Sequence, residues 1–369
     1  MIKVLPTNLL QPHLKQAFIQ LIAVRTGLKI RTHDQEMLQE VVLQRIQKTK
    51  VSRPEDYYRF LKTETNKSNE EWQILIAQLT NTESFFFRDT GQIKLLRNTL
   101  LPKLIQQKSA AKTLCICSAG CSTGEEPYSL AILLRDLIPD LAAWELTILG
   151  VDINPSAIEV ARTGAYRPWS FRGVDRHIQK RFFNLKGEQY YINPEIKHMV
   201  SFRTMNLLKD SFIVSRNPIR DMDLILCRNV FIYFHRQAIQ TVLDKFYEAL
   251  SPHGYLLVGH TELHGQNPEK FRINVFEESI AYQRPEDALA VSGNSKLRSS
   301  IISQTTQTAR TDNDFQDVQS LLETHDIKMQ KASLSLLKQL PADTRIVKLG
   351  NRTASELILQ IEQNLKAID

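Results

Sequence analysis

The stretch Ile116-Cys117-Ser118-Ala119-Gly120-Cys121-Ser122-Thr123-Gly124-Glu125-Glu126-Pro127-Tyr128-Ser129 constrains this chain more than any other. An apolar strand ending near Cys117 runs into a turn of small residues, and Pro127 then opens a helix. A strand, a glycine turn and a helix start together make the mouth of a nucleotide-cofactor crevice. The partial positive charge of a helix N-terminus draws phosphates, yet Glu125 and Glu126 stand there and repel them.

A crevice so charged suits a ligand with an adenosine end and a cationic end, and S-adenosylmethionine has both. Asp152 closes the next apolar run, Leu146 to Val151, where an acidic residue meets ribose hydroxyls. It follows Gly120 by 32 positions, against roughly 20 in a dinucleotide fingerprint, because a long helix and loop intervene. Its alternative employment is to cap the helix starting at Pro155. Arg228 and Asn229 follow the apolar run Leu224 to Leu226 and face the same crevice, where Arg228 can clamp a carboxylate in two-pronged fashion. Tyr233 lies at the crevice mouth or packs as a core aromatic.

The rhythm around these residues is alternating. Strands are expected at 113–118, 146–151, 223–227 and 254–259, and helices at 127–138, 155–162 and 236–250. Short apolar runs separated by amphipathic helices imply an α/β fold with a parallel sheet covered on both faces. Gly254 is read as the turn into its strand, and 276–282 as a last antiparallel strand. Between 164 and 205 the pattern breaks, and hairpin strands 190–192 and 199–202 around Asn193-Pro194 imply an inserted small antiparallel β subdomain. The expected organisation is a helical N-terminal domain (1–80), an interdomain segment (81–111), the α/β domain (112–284), a linker (285–314) and a helical C-terminal segment (315–369).

In the first of these, Leu14, Phe18, Leu21 and Ile22 recur at helical spacing up to Gly27, and Leu38, Val41, Val42 and Ile46 form a second stripe. Ser52-x-x-Glu55 and Ser68-x-x-Glu71 read as capping boxes for a third and fourth helix. In Asn81-Thr82-Glu83-Ser84-Phe85-Phe86-Phe87-Arg88, three phenylalanines cannot all face water. They are expected to wedge the helical and α/β domains together while Arg88 reaches over the cofactor. Residues 291–314 are polar and linker-like. Val318, Leu321 and Leu322, then Leu357, Ile358, Ile361 and Leu365, regain helical spacing.

The net charge of +7 is uneven, with Arg25, Lys29, Arg31, Arg45, Arg53, Arg59 and others within residues 25–67. This face reads as a solvated surface or as a dock for an acidic partner. No run approaches the roughly 18 apolar residues of a membrane span, and no export signal opens the chain, so a cytoplasmic protein without membrane insertion is expected. Cys115, Cys117 and Cys121 have no neighbouring histidine and straddle a strand and a turn. They read as buried thiols, with no metal.

Four blocks, in order, resemble the CheR-type chemotaxis-receptor glutamate O-methyltransferases. They are Thr82 to Asp89, Ser122 to Ser129, Asp152-Ile153-Asn154 with Ala161 to Tyr166, and Cys227 to Phe234 followed by Gly259-His260-Thr261-Glu262. The resemblance covers roughly residues 10–284. It implies a Rossmann-like, S-adenosylmethionine-dependent methyltransferase domain that releases S-adenosylhomocysteine and methylates glutamates on the cytoplasmic domains of chemotaxis receptors. By it, Thr82, Ser84, Arg88, Gly120, Glu126, Asp152, Asn206, Leu207, Arg228 and Asn229 surround the cofactor. Asn206 and Leu207 flank adenine, while Arg228, Tyr233 and Arg88 are catalytic. Thr82 stands where the family usually carries asparagine. The resemblance also implies receptor docking through the basic helix of Arg53 and Arg59. Two other readings stay open: a methyltransferase acting on small molecules or nucleic acid, the latter disfavoured by the lack of aromatic stacking residues among the charges, and a non-catalytic cofactor sensor.

Overall fold

The computed structural model describes residues 10–212, 219–260, 262–263, 266, 268–286, 345–346, 352–353, 355–356, 358–359 and 362–363. The chain divides into two compact units, Met1–Arg272 with Phe276–Glu286, and Ile273–Val275 with Asp287–Asp369. In the second unit, β11 (Arg345–Ile346) and β12 (Arg352–Thr353) form a small antiparallel ladder. The linker 291–314 and most of the expected C-terminal stripes lie outside the described residues.

The first unit begins with four helices: α1 (Pro12–Thr26), α2 (Gln35–Thr49), α3 (Pro54–Lys62) and α4 (Asn66–Leu79). Leu14, Phe18 and Ile22 face inward from α1, Leu38, Val42 and Ile46 from α2, and Trp72, Leu75 and Ile76 from α4. Gly27 ends α1 in the left-handed conformation, its N–H donating to the Ala23 carbonyl at 2.8 Å. Neither expected capping box forms. Pro54 takes the first position of α3, so Arg53 precedes it as the N-cap. Thr65 caps α4 by accepting from the Ser68 N–H at 3.2 Å. Ser68 and Glu71 are therefore inside the helix and buried.

Glu71 has a second partner. Arg45, which the sequence placed on a solvated basic face, is buried and donates Nε and Nη2 to the Glu71 carboxylate at 2.7 and 2.6 Å. The Tyr57 hydroxyl donates to Glu71 Oε1 at 2.6 Å, so one carboxylate ties α2, α3 and α4 together. Phenol burial raises the Tyr57 pKa.

The segment after α4 carries α5 (Thr90–Leu95), a π-helical stretch (Leu96–Leu100) and α6 (Leu101–Gln107). There follow β1 (Thr113–Ala119), α7 (Glu125–Leu137), β2 (Glu145–Asp152), α8 (Pro155–Thr163), β3 (Ala165–Tyr166), α9 (Arg176–Phe182), β4 (Phe183–Lys186), β5 (Gln189–Ile192), α10 (Pro194–His198), β6 (Val200–Thr204), β7 (Met222–Cys227), α11 (Arg236–Ala249), β8 (Leu250–Val258), β9 (Arg272–Val275) and β10 (Ile280–Gln283). Within the first unit the sheet runs β6-β2-β1-β7-β8-β10, with all neighbours parallel except the antiparallel β10. β1 therefore lies between β2 on one side and β7 on the other. The strand order reverses there, and the carboxyl ends of these strands open a crevice.

Every residue of β7 is buried. Its one charge, Asp223, pairs with Lys108 at 2.7 Å and accepts from the Cys115 N–H at 2.9 Å and the Ser251 hydroxyl at 3.0 Å. This satisfies the rule that a buried ion be paired. β8 begins at Leu250, earlier than expected. Gly254 lies within it, and a Cβ there would meet the Met222 carbonyl at 2.7 Å. Glycine admits the neighbouring strand rather than turning the chain.

The expected hairpin of 190–192 with 199–202 does not form. β5 pairs antiparallel with β3 and β4 in a three-stranded sheet, whereas β6 runs parallel to β2 in the main sheet. Pro194 opens the short helix α10 instead of a turn, so the chain crosses between sheets. Nor does the phenylalanine run wedge the helical domain. Phe86 stacks on Phe171 at 5.1 Å and meets Tyr166 and Phe183 edge-on, joining the small β subdomain to the α/β core.

Removing Glu71 leaves the Arg45 guanidinium buried without its counter-ion. Glu71→Ala is expected to lower folding stability by about 3–5 kcal/mol, read as a fall in the urea midpoint at unchanged slope. An unchanged midpoint would show that this carboxylate does not hold the helices together.

Candidate active site

The crevice begins at the turn after β1. Gly120 adopts φ +76°, and a Cβ on it would lie 2.3 Å from Val230 Cγ2, so no other residue fits. Gly120 and Cys121 both donate their N–H to the Val151 carbonyl, at 2.8 and 3.0 Å. α7 starts at Glu125, two residues before Pro127, with Gly124 as its left-handed N-cap. The two glutamates then part. Glu125 turns inward and accepts from Thr123 Oγ1 at 2.7 Å and Ser170 Oγ at 3.0 Å, and burial pushes its carboxyl up. The Ser84 hydroxyl is among the donors that pull it back down. Glu126 faces the crevice, accepting from Ser118 Oγ at 2.7 Å and Arg228 Nη1 at 3.0 Å.

Asp152, at the end of β2, does not cap α8. Asn154 does, its Oδ1 accepting from the N–H groups of Ser156 and Ala157. Asp152 Oδ2 accepts from the Ser122 N–H at 2.8 Å and Oδ1 from the Asn154 N–H at 2.9 Å. These bonds aim the carboxylate and leave lone pairs on both oxygens for a diol. Burial raises its pKa, and the backbone donors of Asn154, Ser122 and Ile153 oppose that rise.

Arg228 follows β7 and is almost wholly buried. It donates Nε to Gln92 Oε1 at 2.5 Å, Nη1 to Glu126, and Nη2 to the Arg88 carbonyl at 2.5 Å, with Asp89 at 4.0 Å. All three guanidinium nitrogens thus have protein partners, and the geometry is that of a brace between elements rather than of a two-pronged clamp held out to a substrate. Gln92, which the sequence reading passed over, is fully buried and completes this brace through bonds from Nε2 to the Val258 carbonyl and Ser279 Oγ. A lone glutamine in a helix carries no signal that would have marked it.

Arg88 is half-buried. It donates to the Glu83 carbonyl at 3.2 Å and lies over the Phe85 ring, and among the described residues it pairs with no carboxylate. The Tyr233 hydroxyl accepts from Asn81 Nδ2 at 3.3 Å. Asn206 is largely engaged: its Oδ1 accepts from the N–H groups of Leu208 and Lys209, and its Nδ2 donates to the Arg25 carbonyl at 2.8 Å.

These groups converge on a cavity of about 620 Å³. Ser84, Arg88, Gly120, Glu126, Asp152, Asn206, Leu207, Arg228, Asn229 and Tyr233 all line it. Thr82 does not, although its carbonyl accepts from the Ser122 hydroxyl at 2.9 Å. One wall was not foreseen. Leu28, Lys29, Ile30, Arg31 and His33 of the α1–α2 connection line the cavity, held by the Lys29 N–H to Tyr233 carbonyl bond at 2.7 Å and a β-bridge between Leu28 and Phe234. Ordinary periodicity does not show where such a loop docks. Cys117, Cys121 and Cys227 are buried free thiols, and burial pushes Cys117 up to about 12.

A parallel sheet with its order reversed beside β1, a glycine turn, an acidic residue ending β2 and an acidic helix start define a nucleoside-cofactor methyltransferase fold. Residues 82–280 match the family model described as CheR methyltransferase, SAM binding domain, and residues 16–80 match CheR methyltransferase, all-alpha domain. The chain belongs to the CheR methyltransferase family. It is 28% identical over 262 residues to chemotaxis protein methyltransferase 2 of Vibrio cholerae, covering 71% of this chain and 89% of that one. Over 211 residues it is 32% identical to the chemotaxis protein methyltransferase of Borreliella burgdorferi (56% and 72% covered). Over 248 residues it is 30% identical to that of Escherichia coli (66% and 82%).

The donor set fits S-adenosylmethionine. Asp152 offers oriented acceptors for a ribose diol, Glu126 a carboxylate for a cation, and the acidic start of α7 disfavours phosphate. Protonating Asp152 removes acceptor capacity, so affinity for S-adenosylhomocysteine is expected to decline as pH falls through its raised pKa. That decline begins above the ordinary aspartate value of about 3.9. The contribution of this group to folding has the opposite sign: it is largest below the unfolded pKa and shrinks as pH rises through the folded one. Asp152→Asn is expected to weaken calorimetric affinity about tenfold at neutral pH and to flatten its acid decline. Wild-type affinity with an unaltered pH profile would remove the ribose assignment.

Proposed function

We propose that this protein transfers the methyl group of S-adenosylmethionine to glutamate side chains on the cytoplasmic domains of chemotaxis receptors, forming γ-carboxyl methyl esters in the cytoplasm. The observation that carries this reading is the division of charge in the crevice. Asp152 and Glu126, among the carboxylates that line it, suit a cationic donor, while Arg88, a cation without a carboxylate partner among the described residues, lines the same cavity. The names of the relatives in Vibrio, Borreliella and Escherichia support the chemotaxis setting.

When bound, the cofactor supplies an electrophilic methyl whose carbon–sulfur bond breaks as the carboxylate oxygen–carbon bond forms, leaving a neutral thioether. A glutamate of pKa about 4.3 is already ionised at neutral pH, so no protein group need act as a general base. Asp152 would hold the donor's ribose and Glu126 its cationic end. Arg88 and the Tyr233 hydroxyl orient the incoming carboxylate. Arg88 must bind it moderately, because charge is neutralised on the way to the transition state and a tighter grip favours the ground state. Arg228 holds Glu126 in place. The α1–α2 connection lines one wall of the same cavity.

Docking through α3 is part of the same proposal. Arg53, just before α3, and Arg59 within it are exposed, and both pair with Asp56 of α3, Arg53 at 3.1 Å. Such exposed pairs are weak, so an acidic receptor helix can take the place of Asp56 at little cost.

Tritiated cofactor incubated with receptor cytoplasmic domains is expected to yield label released by base as methanol. Label stable to base, or label on RNA instead, would overturn the glutamate assignment. Arg88→Ala is expected to lower kcat about 10²-fold, with Arg88→Lys recovering part of it. Unaltered kcat in a folded Arg88→Ala protein would exclude Arg88 from the acceptor site.

A further inference from the structure

The loop leaving β7 carries Arg228, Asn229 and Tyr233, and its conformation is costly. Asn229 sits at φ +60°, in the left-handed region. Phe231–Tyr233 then form a single 3-10 turn, whose first N–H groups have no partner within the turn. These donors are satisfied from elsewhere in the chain. Glu262 Oε2 accepts from the Asn229 N–H at 2.9 Å and from the Gly259 N–H at 2.7 Å, while Oε1 accepts from the Ile232 N–H at 3.3 Å. The residue is 8% exposed. A Cβ at Gly259 would lie 2.6 Å from Oε2, so glycine is what lets the backbone approach the carboxylate so closely.

Two things follow from this arrangement. Glu262 is not among the residues lining the cavity, whereas Asn229, Val230 and Tyr233 are. Its three main-chain donors come from the start and the middle of the loop and from the residue after β8, so one carboxylate ties the loop to the neighbouring strand end. Burial pushes that carboxyl up, and its main-chain N–H donors, Gly259 foremost, pull it down. A main-chain concavity of this kind is a ready-made anion site, here filled by a side chain of the same molecule.

The geometry points to Glu262 as a positioning residue for methyl transfer. Resting on the methyltransferase reading above, it acts through the loop by holding Asn229 and Tyr233 against the cavity, and it touches neither donor nor acceptor. An aspartate is too short to reach all three N–H groups, and a glutamine turns an N–H donor toward one of them. Misplacement of a catalytic loop by a fraction of an ångström is a rate effect before it is a folding effect.

The test compares Glu262→Gln and Glu262→Asp with wild type in the tritium assay, each alone and combined with Tyr233→Phe. Each single variant is expected to lower kcat about tenfold or more, with the receptor KM changing less. In the Tyr233→Phe background the further loss is expected to shrink to about threefold or less, because both changes act on one unit. Full multiplicative losses in the double variants would overturn the proposal, since a residue with a merely structural role adds independently. So would wild-type kcat in either folded variant, or loss of the folded state in both. A wild-type enzyme that transfers no methyl to receptor glutamate would fail the functional reading instead, and the two failures are distinguishable in the same experiment.

Discussion

The arrangement of the site depends on one buried cation. Arg228 leaves β7 with its guanidinium almost out of reach of water, and taking such an ion from solvent costs several kcal/mol unless it is paired. Its partners come from three other elements: Glu126 from α7, Gln92 from α5, and the carbonyl of Arg88 with nearby Asp89 from the segment joining the helical and α/β domains. Each contact satisfies part of the charge, and together they fix how these elements meet over the sheet edge. Gln92 extends the brace to β8 through the Val258 carbonyl. Glu126 is in turn held on the cavity side of its helix. A lysine would offer a point charge where a planar fork reaches three directions at once.

Strain gathers around the same cavity. Phe87, Asp89, Ser122 and Asn229 all adopt positive φ although none is glycine. Each is held by a side chain close at hand. Phe87 donates its N–H to Ser129 Oγ, Ser122 to Asp152 and Asn229 to Glu262, while the Asp89 carboxylate accepts from the Gln92 N–H and meets His260 at 2.8 Å. Conformations of this kind persist only where surrounding bonds over-determine them, and they concentrate where function needs a backbone aimed in an unusual direction. Asp152, Glu262 and Asp89 therefore have a shared task. They organise backbone as well as charge.

The helical domain is part of the site rather than an appendage to it. The α1–α2 connection bonds to the loop after β7 at Lys29, Arg31 and Gly27, and Asn206 and Asn154 reach back to Arg25 and Thr80. The cavity thus has a floor made by strand ends and a wall made by residues of the helical domain. Basic residues on that wall, Lys29 and Arg31, add positive charge to a cavity that also holds Asp152 and Glu126.

Much of this was legible in the chain itself because the relevant signals are local. The apolar runs of β1, β2 and β7 read as buried parallel strands, the Gly120–Gly124 turn required glycine, and Asp152 and Arg228 fell at strand ends by position alone. Tertiary structure decided what each polar group does, because its partners are distant in sequence. Gln92 and Arg228 lie 136 residues apart, and no periodicity relates them. Likewise, only the packing around α7 determined that Glu125 turns inward while Glu126 faces the cavity, and only sheet pairing separated β5 from β6. Local sequence sets which backbone conformations are affordable, but the choice of partner for a buried charge or an unpaired strand edge is made by whatever the fold brings beside it.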